Sequence, residues 1–408
     1  MPPNKHEVLD DVHVAEGANF MKPIPFTADI IEKASELLVQ FDSFLPEDLK
    51  TTFFLARWVR MYQGDVENIE IKLKEYIRHR AAFKYDDVDL VGAIEKLEFV
   101  DKVFSKFAIS KLDQTNMSGD VVVFLQKMEG SDIKEIIKTM PFSNVLNAYF
   151  VMQETMQRAM HKHEKETGRQ ACASIILDLH GINLSDFINP LGAPSKLARL
   201  VVKIWSEYFS ETTSRLYLVR SPGLISLMWQ VAKYILDAKT QKQVVFVDKF
   251  DHLKAFFNEN AIPVKWGGAR QDNSSHSEDK DECFNKIQSI TPSMYYDSNE
   301  IFIQNGFAKI PALHNLSIKN KEIESIEVEG KVGQKIIWHY YTNSELVFDV
   351  IYENNENVPI IPGTFGTCLK VPEQGVIEVN KNGTYCFRWS NINGGWLSAK
   401  VQYVILLK

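Results

Sequence analysis

The sequence predicts an α/β domain with a mostly parallel sheet and an N-terminal helical lobe, followed by an all-β antiparallel sandwich. Between residues 119 and 268, segments typical of buried strands alternate with amphipathic helices, which implies right-handed crossovers onto a parallel sheet. After residue 300 the apolar residues recur with a period of two, and Gly, Asn and Pro separate the runs, as in antiparallel sheets. The 408 residues suffice for two or three such domains.

Composition narrows the class of protein. Hydrophobic residues make up 45% of the chain and charged residues 24%, which is typical of a soluble globular protein. The formal net charge of −7 argues against broad nucleic-acid binding, so no nucleic-acid partner is predicted. Four cysteines without a CxxC pair favour a reducing compartment. Because no signal peptide and no run of 18 apolar residues occurs, we expect a cytoplasmic protein.

Five segments follow from the patterning. Residues 1–26 are polar and contain prolines, and we expect a mobile arm. Three helical patterns over 27–88 form the N-terminal lobe, with Gly64 ending the second helix and Asp65 able to cap the third. The α/β domain covers 89–268, a linker covers 269–300, and the sandwich covers 301–408. The stretch 269–282 is so polar that we expect it to be solvated.

The stretch SPGLISLMWQVAKYILD, residues 221–237, has an unusual distribution of apolar residues. Ser226, Gln230, Lys233 and Asp237 share one narrow stripe of the predicted helix, and nearly all other positions are apolar. The helix is too short to span a bilayer. Two interpretations stay open: a helix buried in the core, or a helix that walls an apolar cavity and can swing at Gly223. The residues of its apolar seam are Leu224, Leu227, Met228, Val231 and Ile235.

Motifs of catalysis and metal binding are missing from the sequence. It contains no GxSxG, GxxxxGK[ST] or GxGxxG motif, so we predict neither an enzyme nor catalytic residues. Asp178 and His180 at a strand end could form an acid–base pair, or the histidine could simply bond to backbone. His161 and His163, two apart on a helix, favour a solvated surface over a metal site.

Several separated stretches resemble the CRAL-TRIO (Sec-fourteen-like) lipid-binding family. They are FFLARWVRMYQGDVENIEIKLKEYIRHRAAF, SIILDLHGINL, EYFSETTSRLYLVRSPGLISLMWQVAKYILDAKT and IPVKWGG, in the order and spacing of the family. The C-terminal VEGKVGQKIIWHYY and GTYCFRWSNINGGWLSAKVQYVILL resemble a GOLD domain, and ITPSMYY is similar to two-domain members of the tocopherol-associated and supernatant-protein-factor type.

The resemblance implies a non-enzymatic protein that binds or transfers one hydrophobic lipid. The 221–237 helix would be the gate of a pocket floored by the sheet, lined by its apolar seam together with Ile175, Leu177 and Glu211. No cofactor is implied beyond the bound lipid, and no metal. The implied partners are the lipid, a transient membrane surface and a protein bound by the GOLD domain, in a cytoplasmic protein peripheral to membranes. The alternative is an adaptor in which the sandwich binds protein partners and lipid is structural or regulatory.

Charged headgroup positions of the family differ in this chain. Phosphatidylinositol-binding members carry an Arg after the glutamate that aligns with Glu211, and a Lys beyond the gate helix; here Thr212 and Gln243 occupy those positions, with Lys242 one place earlier. Two hydroxyl side chains precede the strand aspartate in phosphatidylcholine-binding members. Ala173 and Ile175 stand there instead.

Overall fold

The computed structural model describes residues 22–83, 97–110, 116–221, 241, 243–272, 283–392 and 398–408. These residues fold into two units. Unit one consists of the described residues within 22–72, 97–132 and 148–289, and unit two of those within 73–83, 133–147 and 290–408. In the described ranges, no helix is both long enough and apolar enough to cross a bilayer.

The helices follow the predicted periodicity closely. They are α1 (Ala28–Gln40), α2 (Thr52–Met61), α3 (Val66–Phe83), α4 (Glu98–Phe104), α5 (Ile133–Ile136), α6 (Phe142–Thr167), α7 (Ala193–Ile204) and α8 (Glu300–Gln304). Helix α2 begins at Thr52, because Thr51 is extended and its hydroxyl accepts from the Phe54 amide at 3.1 Å. Gly64 has a left-handed φ of 80°, and Asp65 caps α3 through the Asn68 amide, as predicted.

The sheet of unit one is mostly parallel, which confirms the predicted fold class. Its strands are β1 (Ala108–Ile109), β2 (Met117–Ser118), β3 (Val121–Lys127), β4 (Cys172–Asp178), β5 (Thr213–Val219) and β6 (Val244–Val247). The order is β1-β3-β4-β5-β6, with β2 also paired to β3. Strands β3 to β6 are mutually parallel, whereas β1 and β2 run antiparallel to β3.

The two faces of this sheet are covered differently. One face packs into a large core in which residues at most 7% exposed come from the strands and from the later chain, among them Leu253, Phe257, Ile262, Trp266 and Phe284. On the other face, three methionines of α6 pack on Val122, Phe124 and Ala173. Ile175, Leu177 and Leu216 of this second face lie in the interior strands β4 and β5, yet their side chains are only half-buried. The second face is therefore less completely covered than the first.

The start of the predicted linker is buried rather than solvated. Arg270 and Asp272 are each 2% exposed and form a salt bridge at 2.8 Å. Arg270 also donates to the Val123 carbonyl at 3.1 Å, and Cys283 and Phe284 join the core of unit one. The expectation of a solvated linker is therefore wrong for Arg270 and Asp272, whose charges are buried as a pair.

The C-terminal part is an antiparallel β-sandwich, as predicted. Its strands are β7 (His314–Ile318), β8 (Ile323–Gly330), β9 (Lys335–Tyr341), β10 (Leu346–Tyr352), β11 (Asn355–Gly366), β12 (Glu373–Glu378), β13 (Gly383–Ser390) and β14 (Ala399–Leu407). They form two four-stranded sheets, ordered β11-β10-β13-β8 and β12-β9-β14-β7. Tyr385, Phe387 and Trp389 share the buried inner face of β13.

Unit two also contains short helical segments from earlier in the chain. Ser143, in the first turn of α6, donates to the Glu373 carboxylate from its amide at 2.9 Å and from its hydroxyl at 2.5 Å. Burial raises the pKa of Glu373. A Cβ at Gly366 would lie 3.1 Å from the Phe142 ring, so a side chain there would require the ring to shift slightly. The sandwich is thus packed against residues more than 200 positions away in the sequence.

Candidate functional site

Three of the predicted lipid-lining residues lie in described parts of the chain. Ile175 and Leu177 project from the same side of β4 and are half-buried, while Glu211 is buried just before β5. The other predicted residues, Leu224, Leu227, Met228, Val231 and Ile235, lie outside the described residues.

An irregularity between β4 and β5 shapes the half-buried face. Ala173 pairs with Thr213, but Ser174 pairs with Arg215, so Ser214 is an extra residue. This β-bulge leaves Thr213 and Leu216 on the same face as Ala173 and Ile175. The result is an apolar floor of Ile175, Leu177 and Leu216, with a threonine hydroxyl at one end.

A strip of uncharged polar side chains lies beside this floor. We call it the polar strip; it consists of Tyr149, Gln153, Gln157, Ser210, Thr212, Thr213 and Gln243. Gln153 donates to the Tyr149 hydroxyl at 2.9 Å, and the Thr212 hydroxyl donates to Gln157 at 3.5 Å. Gln243 donates to the Ser210 carbonyl at 3.3 Å. Tyr149 packs against the cluster that contains Ile175, which connects the strip to the floor.

Four polar atoms of the strip are buried without a hydrogen-bond partner in the described parts of the chain. They are Gln153 Oε1, Ser210 Oγ, Thr213 Oγ1 and Gln243 Oε1. Gln153 is 0% exposed. An unsatisfied buried polar group costs roughly 1–3 kcal/mol, and a native protein carries few of them. Four within one strip therefore indicate a place where a further polar partner belongs.

The charge of Glu211 is balanced within the protein. Its carboxylate accepts from Arg60 Nε at 2.5 Å, and the Arg60 guanidinium lies 4.3 Å from the centre of the Phe26 ring. Thr212, where phosphatidylinositol-binding relatives have an arginine, is 2% exposed and bonded to Gln157. Gln243, at the lysine position, is bonded to backbone. The described polar groups facing this region are therefore neutral or already paired.

Asp178 and His180 do not act on each other through their side chains. The Asp178 carboxylate is 0% exposed and accepts a bidentate interaction from Arg220. His180 donates its backbone amide to Asp178 at 3.0 Å, while its half-exposed ring lies 3.9 Å from Glu129. Among the described contacts, the His180 ring therefore neither pairs with Asp178 nor bonds to backbone.

The other candidate motifs take structural positions. His163 pairs with Asp120 at 2.8 Å with its side chain 15% exposed, and His161 packs edge-on against Phe54. The expectation of a solvated surface is therefore wrong for both histidines. Gly267 has a left-handed φ of 86° and ends a short 3₁₀ turn. Within the described ranges, no group of three His, Cys, Asp or Glu side chains is placed to bind a metal ion.

Sequence reasoning missed the polar strip and the bulge. The sequence does contain a signal for the polar strip, because Gln153 and Gln157 are four residues apart on a helix that is otherwise rich in methionine and aromatic residues. The bulge at Ser214 had no such signal, since it depends on the register with β4.

Comparison with known families gives a match over the part of the chain that contains this site. Residues 120–268 match the family model described as CRAL/TRIO domain. This range contains the parallel strands β3 to β6, the apolar floor and the polar strip. This part of the protein is therefore similar to CRAL/TRIO domains.

Individual relatives extend over much of the chain. The CRAL-TRIO domain-containing protein C34C12.6 of Caenorhabditis elegans is 25% identical over 369 residues, covering 89% of this chain and 91% of its own length. The phosphatidylinositol/phosphatidylcholine transfer protein SFH11 of Arabidopsis thaliana is 25% identical over 271 residues, covering 63% of this chain and 68% of its own. The crystal structure of Sfh5 matches 69% of this chain and 98% of its own at 10% identity, with a TM-score of 0.40.

Proposed function

We propose that this protein binds one hydrophobic lipid over the half-buried face of its CRAL/TRIO sheet and carries or presents it at membranes without catalysing a reaction. The observation that carries the proposal is the apolar floor of Ile175, Leu177 and Leu216, which is incompletely covered in the middle of the sheet. Such residues are normally the best buried of a fold, and uncovered apolar surface favours an apolar ligand. The name of the plant relative, a phospholipid transfer protein, supports the same class of function.

The polar strip suggests how the lipid would be oriented. The unsatisfied oxygens of Gln153, Thr213 and Gln243 can accept hydrogen bonds from a polar group on the lipid. A charged phosphate would require cations, and Thr212 and Gln243 supply none where the family places them. We therefore propose a lipid whose polar end is uncharged, such as a hydroxylated neutral lipid.

Two neighbouring residues of β4 provide a direct test. Leu177→Asp places a carboxylate on the half-buried face, whereas Ile176→Asp places it in the fully buried core on the opposite face. A charge in a solid core costs several kcal/mol, enough to unfold a domain of ordinary stability. We expect Ile176→Asp to unfold and Leu177→Asp to stay folded but lose its lipid, as measured by thermal melting and by mass spectrometry of extracted lipid.

The same experiment can refute the proposal. If both variants unfold, the face under Leu177 is a solid core and offers no ligand site. If Leu177→Asp remains folded and still carries lipid, the lipid is bound elsewhere in the protein.

The alternative is an adaptor whose sandwich binds protein partners. This alternative draws on the resemblance of the C-terminal part to a GOLD domain and on exposed apolar residues of unit two, among them Ile323, Val332 and Ile392. Native mass spectrometry of the purified protein separates the two functions. Stoichiometric lipid favours carriage, and its absence together with a stable protein complex favours the adaptor.

A further inference from the structure

We propose that unit one has a second binding site, for a small organic anion that combines a phosphate or carboxylate with a planar or apolar body. The site is a cavity of about 260 Å³ at the carboxyl ends of the parallel strands. In open α/β sheets this edge is where ligands most often bind. The residues that define it are Lys127, Arg220, Lys265, Phe250, Trp266 and Phe284.

The aromatic residues form a continuous wall. Phe250 and Trp266 are stacked with ring centres 4.7 Å apart and planes 10° apart, and Phe284 lies 5.5 Å from Trp266. These rings belong to the core on the sheet face opposite Ile175 and Leu177. The cavity is therefore separated from the proposed lipid site by the thickness of the sheet.

The cations are held close to these rings. Lys127 Nζ lies 4.3 Å from the centre of Phe284, and the Arg220 guanidinium lies 5.0 Å from the centre of Phe250. Lys265 adds a third positive charge, while Glu129 is the carboxylate among the described lining residues. Three cations and one carboxylate of the described residues therefore line the cavity, and the buried Asp178 pairs with Arg220.

Arg220 is fixed in an unusual conformation. Its φ of 49° is left-handed, which costs a residue with a side chain roughly 1–3 kcal/mol. The bidentate interaction with the fully buried Asp178 uses Nε and Nη2. Within the described residues, Nη1 makes no hydrogen bond. A strained, pre-oriented guanidinium with a spare donor at a cavity is suited to bind an anionic oxygen.

Phenyl phosphate is a suitable soluble probe, with benzyl alcohol and inorganic phosphate as the uncharged and ring-free comparisons. We expect phenyl phosphate to bind the full-length protein more tightly than either, with an affinity that falls as salt is added. The double variant Lys127→Gln/Lys265→Gln should weaken binding roughly tenfold, because it removes two charge-assisted contacts. Lys162→Gln, an exposed lysine on α6, is the matched control and should leave the affinity unchanged. Thermal melting of each variant verifies its fold.

The anion could reach the site as a free small molecule or as a lipid headgroup, and vesicles distinguish the two. Sedimentation with phosphatidylcholine vesicles, with and without phosphatidic acid, is measured for the same variants. Capture that requires both phosphatidic acid and the two lysines supports a headgroup, and lysine-dependent binding of phenyl phosphate alone supports a free ligand. If neither phenyl phosphate nor phosphatidic acid shows binding that depends on the lysines, the proposal is overturned.

Discussion

His79 in unit two shows how one buried side chain couples stability to pH. It is 3% exposed, and its Nε2 lies 3.3 Å from Asn147 Oδ1. Burial lowers its pKa from 6.5 to about 3. Because the unfolded chain binds the proton more readily, the stabilising contribution of the neutral ring is fully present above pH 6.5. It is lost as the pH falls from 6.5 towards 3.

We therefore expect acidification from pH 7.5 to 5 to remove about 2 kcal/mol of unfolding free energy through this one group. His79→Gln, which cannot be protonated, should reduce the loss of unfolding free energy between pH 7.5 and pH 5 by that amount, whatever its effect on absolute stability. Urea unfolding at the two pH values measures the difference. His180→Gln is the control, because the His180 ring is half-exposed. An unchanged slope in His79→Gln would show that the histidine is not the source.

The loop after β4 is the element that we expect to meet a membrane. Ile188 and Leu191 are 63% and 76% exposed, and Asn189 fixes the turn between them by accepting from the Leu191 amide at 3.0 Å. Transferring such side chains from water to an apolar phase yields roughly 1.5–3 kcal/mol each. Ile188→Ser/Leu191→Ser should weaken binding to phosphatidylcholine vesicles by about tenfold or more.

The control for this loop is Val39→Ser on α1, where a single valine is 81% exposed. Sedimentation with vesicles should show wild-type binding for Val39→Ser and a loss for the loop variant. Equal binding of all three proteins would assign membrane contact to another element.

A second prediction about a single structural element concerns the helix predicted over residues 221–237. If its apolar seam faces a cavity, Met228→Asp leaves the protein folded with a modestly lowered melting temperature and no bound lipid. If the helix is a solid core element, the same charge unfolds the protein, because it cannot be hydrated. Melting and lipid extraction on one sample decide this. Lys233→Gln, on the polar stripe, serves as the control that should retain lipid.

Elements were predicted from sequence more completely than the contacts between them. Strand β4 is apolar on both faces, which is typical of a parallel interior strand, and it lies in the middle of the sheet. Local patterns also predicted the turn at Gly64 and the two-residue period after residue 300, which β13 shows with Tyr385, Phe387 and Trp389 on its inner face. The site was predicted only in part, because the bulge at Ser214 depends on strand register, and register is set by tertiary packing.

At the scale of the whole molecule, tertiary packing also decides how the chain divides into the two units, and local sequence patterns do not specify this division. The sequence separates the sandwich from the helical segments by composition, yet Ser143 and Phe142 belong to the unit that contains Glu373 and Gly366. Nothing in either local pattern specifies a contact over this distance. Deleting 301–408 would remove the carboxylate partner of Ser143, so functions of the sandwich are better probed by surface substitutions than by truncation.

The final prediction concerns which lipid the intact protein moves between membranes. The polar strip presents neutral groups, and the carboxylate of Glu211 is already paired with Arg60. We therefore expect slow exchange of phosphatidylinositol between vesicles and faster exchange of a neutral hydroxylated lipid such as a sterol or diacylglycerol.

Gln243→Lys restores the cation of phosphatidylinositol-binding relatives, and one charge-assisted contact of roughly 1.5–3 kcal/mol should raise phosphatidylinositol exchange about tenfold or more. Gln40→Lys adds the same charge at an exposed position of α1 and should not raise it. Rapid, selective phosphatidylinositol exchange by the unmodified protein would contradict the neutral site and require a cation from another part of the chain.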